Sequence, residues 1–305
     1  MWHRRRRATL RPMSTPVTPA PSFAVTGATG HLGRLAVDAL LRHGIPAGNV
    51  FALVRDPDKA GDLAELGVGV RVADYDRPDT LGSALEGIER LLLVSSPDPG
   101  DRVRQHSAVI DAAKAADVEF VVYTSVIHAD DTELVLAPEH AATEDVLQGS
   151  GLLFAVARNG WYMENYTAQL PRYLQAGEIL GAAGDGRVSA ATRADYAEAA
   201  VSLLTGDVVD QQGYWELGGP AFTMTELAGT ITEVTGTQVV YHDHTPEELT
   251  EAMVAAGADR GTAEFVTALE RSLARGELET DSPALENLLG RAPTSLRDAV
   301  RAAQL

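Results

Sequence analysis

From residue 22 onward, short apolar runs alternate with stretches in which apolar residues recur every three to four positions. The runs at 22–26, 49–54, 69–73, 91–95, 120–124 and 152–157 predict six strands. They are almost continuously apolar, as where both faces of a sheet are covered. The periodic stretches at 31–43, 57–66, 78–85, 101–116 and 138–147 predict the helices between them. Repeated strand–helix–strand units with short links describe an α/β fold built on a doubly wound parallel sheet of Rossmann type. Right-handed crossovers then bring the carboxyl ends of the strands to one side, where ligands bind. After residue 160 the pattern loosens. Helical periodicity runs over 161–175, a glycine-rich segment follows at 181–186, and further helices are predicted at 193–204, at 224–234 and toward the end. The reading is therefore a dinucleotide-binding domain over 21–160 and a second, smaller, mostly helical C-terminal lobe over 161–305 on the substrate side. Parts of 187–217 are expected to return to the first unit. Residues 1–20 are basic, then rich in Pro, Ser and Thr, and read as a flexible N-terminal extension. No apolar stretch follows their arginines, so they do not form a secretory leader.

The stretch Gly27-Ala28-Thr29-Gly30-His31-Leu32-Gly33 sits between the first strand and the first helix. Its glycines have three jobs: one permits the tight turn, one lets backbone approach a pyrophosphate, and one lets the helix pack on the strand. Phosphates would lie against free N–H groups at the positive end of the helix. The spacing is Gly-x-x-Gly-x-x-Gly, which is associated with extended and atypical short-chain dehydrogenases.

Charge sharpens this picture. The chain carries a formal net charge of −18, although five arginines fall within its first eleven residues. Such a body repels nucleic acid and anionic membrane, and neither is expected as a partner. An anion site must then be a local positive island, which makes each remaining arginine informative. There are no cysteines, so disulfides, thiolate catalysis and Cys-based metal sites are excluded. No run approaches the ~20 apolar residues of a membrane helix, and a cytoplasmic location is expected.

Candidate site residues gather at predicted strand ends. Arg55 closes the second strand, at the place that faces the adenosine ribose. An arginine there suits the 2′-phosphate of NADPH, where an acidic residue would hold the 2′-hydroxyl of NADH. Lys59 offers a second positive contact, and a competing reading has Asp56 turn inward instead. Asp74 and Tyr75 end the third strand, where an acidic side chain can accept from the adenine amino group. Ser95 and Ser96 end the fourth, beneath the pyrophosphate and nicotinamide ribose. Thr124 and Ser125 end the fifth, beside the expected hydride-transfer centre. Each is weak alone, because such residues commonly close strands; their joint placement carries the weight.

One test is negative. The better-known short-chain dehydrogenases use a Tyr-x-x-x-Lys pair, and this chain cannot contain it. Only Lys59 and Lys114 occur, preceded four residues earlier by Arg55 and Ile110. The helix after the fifth strand instead carries His140 and Glu144 on one face. His140 is either a proton donor or a residue that lines the pocket. After the sixth strand come Asn159, Gly160, Trp161, Tyr162 and Glu164. The two aromatics read either as a flat wall for a planar ring or as core fillers at a helix start. His242 and His244 alternate without a third ligand, and no metal site is expected.

The motifs TGATGHLG (26–33), ALVRDPDKA (52–60), LLLVSS (91–96), YTSVIHAD (123–130), RNGWYMENY (158–166), GAAGDG (181–186) and SAATRADYAEAA (189–200) together resemble the NmrA-like atypical short-chain dehydrogenases. Within them the closest likeness is to the type 2 NAD(P)H:quinone oxidoreductases. The resemblance covers the chain from about residue 22 to its end. It implies NADPH bound in a groove and reduction of a small-molecule quinone by hydride transfer without flavin or metal. It also implies cofactor contacts at Gly27 to Leu32, Arg55, the loop after Ser95 and Ser96, and Asn159 to Glu164. Catalytic roles fall to His140 and Tyr162. Pro97 stands where a polar residue is expected, and it withdraws a backbone donor from the cofactor loop. A homodimer is left open. The alternative is an NmrA-like regulator that binds NADP(H) as a redox sensor without turnover, which the missing Tyr–Lys pair also suits.

Overall fold

The structure, a computed structural model, describes residues 21–97 and 100–304; the predicted N-terminal extension lies outside the described residues. Among the described residues the strands are β1 (Phe23–Thr26), β2 (Val50–Val54), β3 (Gly69–Val72), β4 (Arg90–Leu93), β5 (Phe120–Val126), β6 (Leu153–Asn159), β7 (Trp161–Tyr162), β8 (Glu178–Gly181), β9 (Arg187–Val188), β10 (Ala190–Ala191), β11 (Gly213–Leu217), β12 (Phe222–Thr223) and β13 (Val240–Asp243). The helices are α1 (His31–Arg42), α2 (Gly61–Glu65), α3 (Asp79–Leu85), α4 (Arg102–Ala115), α5 (Ala137–Gly149), α6 (Glu164–Thr167), α7 (Leu170–Ala176), α8 (Arg193–Thr205), α9 (Val208–Gln211), α10 (Met224–Thr235), α11 (Pro246–Ala255), α12 (Arg260–Ala274), α13 (Ala284–Leu289) and α14 (Leu296–Ala302).

Seven strands form one parallel sheet in the order β11-β6-β5-β4-β1-β2-β3. This is the doubly wound Rossmann order, whose direction reverses between β1 and β4. The two faces separate by strand alternation. Phe120 and Val122 of β5 pack with α1 and α8, whereas Val121 and Tyr123 pack with α3 and α4. On β6, Ala155 and Ala157 join the first face and Val156 the second. A third apolar cluster gathers Val126, Ile127, Met163, Tyr173, Leu227 and Leu273 among the later elements. Asp195 on α8 anchors the C-terminal segment to this frame. Fully buried, it accepts from Arg291 at 2.8 Å and from the Thr294 N–H at 2.9 Å. Those bonds hold its carboxyl below the usual range despite the burial that opposes them.

Two local expectations are corrected. Strand β4 stops at Leu93, before the expected residue 95. Beyond it the Ser95 N–H donates to Thr124 Oγ1 (2.9 Å) and the Ser96 N–H to His106 Nε2 (2.9 Å), so side chains replace the ladder. The single helix expected over 161–175 is instead β7, α6 and α7. Pro171 lies at the start of α7 without an amide to continue a helix. Trp161 and Tyr162 pair in parallel with Ala190 and Ala191.

Candidate active site

The glycine turn spends its Ala28 N–H on the Leu53 carbonyl at 3.3 Å and leaves the Thr29, His31 and Leu32 amides without a hydrogen bond among the described residues. Gly27 adopts φ +57°, a conformation that favours glycine. The Gly30 N–H closes the turn onto the Gly27 carbonyl at 2.8 Å. Gly30 is the N-cap of α1 and no side chain caps the helix, so the first amides of a 12-residue helix face outward with its positive end. Gly27, Thr29, Gly30 and His31 are exposed, whereas Ala28, Leu32 and Gly33 are buried. A Cβ on Gly33 would stand 2.3 Å from the Gly27 carbonyl oxygen, so this glycine serves the packing of helix on strand.

Arg55 is exposed at the end of β2. Asp56 does not turn inward to displace it. Its carboxylate accepts the Asp58 N–H at 3.2 Å and pairs with Lys59 at 3.9 Å, closing the following turn. Arg55 makes no ion pair within 4.0 Å among the described residues; its charge is felt by Asp76, whose carboxyl is held low chiefly by Arg104. Asp74 spends its oxygens on the Asp76 N–H and on Arg77. Tyr75 donates to the Val94 carbonyl at 3.3 Å and packs edge-on against His106.

Alternation on β5 and β6 divides the remaining candidates. Thr124 and Asn159 belong to the α1/α8 face. Thr124 receives the Ser95 amide, and Asn159 is 2% exposed with neither polar atom of its carboxamide in a formed hydrogen bond; the Tyr162 hydroxyl is near enough for the carboxamide to lower its pKa against the burial that raises it. A buried amide left open in this way is a ready partner for a ligand's polar group. Ser125 departs from expectation, because it lies on the opposite face and donates to Glu144 of α5. There Arg158 forms a hub. It donates to both Glu144 oxygens, to Asp130 at 2.8 Å and to Glu216 at 2.9 Å. Burial opposes its charge, yet these carboxylates raise its pKa.

Trp161 and Tyr162 do not form one wall. As consecutive strand residues they leave on opposite sides, Trp161 toward the later cluster and Tyr162 toward the α1/α8 core. The Arg193 guanidinium lies 4.5 Å from the Tyr162 ring centroid, and the Tyr196 ring meets Tyr162 edge-to-face at 5.6 Å. Tyr162 is thus partly sandwiched, with less ring surface free than its sequence position suggested. Gly160 is required here, since a Cβ would stand 2.5 Å from the Ser189 carbonyl. Glu164 accepts the Arg193 N–H at 2.9 Å and caps the entry of α8.

His140 is 7% exposed, with Nδ1 2.8 Å from the Tyr123 hydroxyl. Pro97 is exposed at the end of the Ser95–Ser96 segment. That segment is fastened by Arg102, which donates from Nε to the Ser96 carbonyl at 2.9 Å and pairs with Glu139 at 3.3 Å. Arg102, His106 and Arg193 were not singled out from sequence. Arg193 directly follows Thr192, whose side chain caps α8, so a Thr-Arg pair opening a predicted helix was the available signal.

These features define a nucleotide-binding Rossmann protein, and the chain belongs to the NAD(P)H-binding family whose model matches residues 27–207. It is 43% identical over 278 residues to quinone oxidoreductase 2 of Escherichia coli, covering 91% of this chain and 97% of that protein. The crystal structure of the NADPH-dependent quinone oxidoreductase QOR2 of Escherichia coli, complexed with NADPH, superposes with a TM-score of 0.88 at 42% identity. That match spans 93% of this chain and all of the other. The triphenylmethane reductase of Citrobacter sp., complexed with NADP(H), matches at a TM-score of 0.87 and 33% identity over 92% of this chain and 100% of that one.

Proposed function

We propose that this chain is an NADPH-dependent quinone reductase that works without flavin. The observation that carries the reading is the near-complete coverage, at 43% identity, of a quinone oxidoreductase. The residues present fit the dinucleotide. The uncapped α1 turn offers amides to a pyrophosphate, Arg55 offers a cation to a 2′-phosphate, and the open Asn159 carboxamide lies at the end of β6. When bound, NADPH supplies a hydride to a quinone.

The chain's own residues bind and orient. Thr26 accepts the Val94 N–H at 2.9 Å, which ties the end of β1 to the chain leaving β4 at the point where the strand order reverses. Thr124 and Asn159 border the opening on the α1/α8 face, and Tyr162 with Arg193 forms its side. The later elements gathered around the third apolar cluster supply the substrate-side wall. A quinone is a ready acceptor, so positioning and exclusion of water supply most of the acceleration; the Tyr–Lys acid pair is not needed.

The test is NADPH oxidation by purified, flavin-free protein across a panel of benzo- and naphthoquinones. The reading expects one NADPH consumed per hydroquinone formed. Binding of both oxidised and reduced cofactor with no turnover on any quinone would replace it with the redox-sensor alternative.

A further inference from the structure

The carboxyl ends of β2 and β3 lie side by side. The strands pair in parallel with Val54 opposite Val72, and the Ala73 N–H extends the ladder to the Val54 carbonyl at 2.8 Å. Arg55 leaves β2 at this corner, and the turn Asp74-Tyr75-Asp76 leaves β3 beside it. Two of the carboxylates here are spent on neighbours in their own turns. Asp56 pairs with Lys59 at 3.9 Å, and Asp74 pairs with Arg77 at 3.2 Å.

Asp76 is held from another element. Its Oδ1 accepts from Arg104 at 2.7 Å and from the Gln105 carboxamide at 3.1 Å, so the start of α4 reaches across to the end of β3. The same guanidinium donates from Nε to Asp101 at 3.1 Å. Arg104 is therefore a cation shared by two carboxylates, and its removal leaves both Asp76 and Asp101 without it. Arg104 and Gln105 hold the Asp76 carboxyl below the usual range, and the Arg55 charge acts on it in the same direction. Asp76 is thus ionised and within the field of Arg55. A phosphate monoester carries about 1.5 to 2 negative charges at neutral pH. Seated at Arg55, it meets Asp76 as a like charge, which is disfavoured unless a cation compensates. A ribose 2′-hydroxyl in the same place is neutral and insensitive to that charge.

We propose that Arg104 is a specificity-determining residue, which favours NADPH over NADH by neutralising Asp76 beside the 2′-phosphate position at Arg55. This rests on the placement of a 2′-phosphate at Arg55 in the functional reading. Arg104 acts through Asp76 and needs no contact of its own with the dinucleotide. Asp76 sets the opposing term, so the pair tunes the preference that Arg55 creates. Both side chains are about half-exposed, at 53% for Arg104 and 50% for Asp76. The effect is therefore on the scale of solvent-screened charges, about three- to tenfold in affinity, and it weakens as salt is added.

The experiment is fluorescence titration of the full-length protein with NADPH and with NADH, at low salt and at about 1 M salt, where the Debye length is about 3 Å. At low salt Arg104→Ala should weaken NADPH about three- to tenfold and leave NADH nearly unchanged. At high salt that difference should largely vanish. Arg104→Lys keeps the charge and should keep most of the preference. Asp76→Asn should tighten NADPH alone, and adding it to Arg104→Ala should restore NADPH affinity to the parent level or better. A purely structural role for Arg104 would not be repaired by that second change. Equal losses for the two cofactors in Arg104→Ala, no loss at all, or no repair by Asp76→Asn overturns the inference. So does Asp76→Asn weakening both cofactors alike, because Asp76 would then be accepting from the adenosine itself. If Arg55→Ala does not weaken NADPH selectively, the 2′-phosphate reading falls and the inference with it. A selective loss in Arg55→Ala beside an unselective one in Arg104→Ala overturns the inference alone.

Discussion

The two faces of the sheet meet the carboxyl ends of β5 and β6 in opposite condition. On the α4/α5 face, the principal polar groups are matched to partners. Arg158 serves three carboxylates, Ser125 donates to Glu144, and His106 and His140 each have a partner. On the α1/α8 face, the α1 turn has no cap, Arg55 stands outside any ion pair among the described residues, and the Asn159 carboxamide is buried and open. Native proteins rarely leave buried polar groups unpaired. The contrast supports the proposed site: the open face is read as the one shaped for a ligand and the satisfied face as the frame that holds it. Arg158 and Asn159 make the point within one dipeptide: the first is locked and the second is available.

The comparison can be broken most forcefully at the glycine turn. Replacing Gly33 with alanine puts a Cβ 2.3 Å from the Gly27 carbonyl oxygen. Backbone must move, and the fold should lose about 3 kcal/mol or more in a urea melt. Gly30→Val is milder toward the fold, because its Cβ meets the same oxygen at 3.2 Å and φ is an ordinary −83°. That variant should keep its melting temperature within a few degrees and lose NADPH binding by fluorescence titration. Retained binding would remove the turn from the site.

The satisfied face should respond in stability before it responds in binding. Arg158→Ala strands Glu144, which is 3% exposed, without its cation. Breaking a buried pair on one side costs about 3–5 kcal/mol, measured as a shift in the urea midpoint. Arg55→Ala should behave in the reverse manner, with stability unchanged and NADPH affinity reduced by about 1.5–3 kcal/mol relative to NADH, the scale of a charge-assisted contact. Equal losses for the two cofactors would contradict the role of Arg55.

The buried histidines add a smaller, pH-dependent effect. Burial and Arg102 hold His106 and His140 down to about 3 in the folded chain, while the unfolded chain titrates near 6.5. Between those values the unfolded state binds protons that the folded state refuses. Stability is therefore complete above about pH 6.5 and falls on acidification, by up to about 1.4 kcal/mol per pH unit for each histidine. Thermal melts from pH 7 down to pH 4 should show that slope, and His140→Gln should reduce it.

The sheet was legible in sequence because its strands are apolar on both faces and its glycine turn has a fixed spacing. Strand ends were less legible. Ser95 and Ser96 look like strand residues until Thr124 and His106, distant in sequence, take their amides. The segment after Asn159 was misread because Trp161 and Tyr162 fit a helical period as well as a strand. Pairing with Ala190 and Ala191 decided it, and that contact leaves no local trace. Arg193 had a local signal in the Thr-Arg pair that opens α8, but its place over Tyr162 depends on α8 starting beside β7. Which neighbour of a strand end faces the ligand is set by alternation, so Thr124 and Ser125 part company although sequence treats them alike.

The open face is tested most directly by a crystal structure of the protein with NADP⁺. The account predicts the pyrophosphate against the open amides of Thr29, His31 and Leu32, the 2′-phosphate at Arg55, and a nicotinamide group hydrogen-bonded to the Asn159 carboxamide. A dinucleotide seated elsewhere, or one that leaves Asn159 unpaired with Arg55 in solvent, would contradict it.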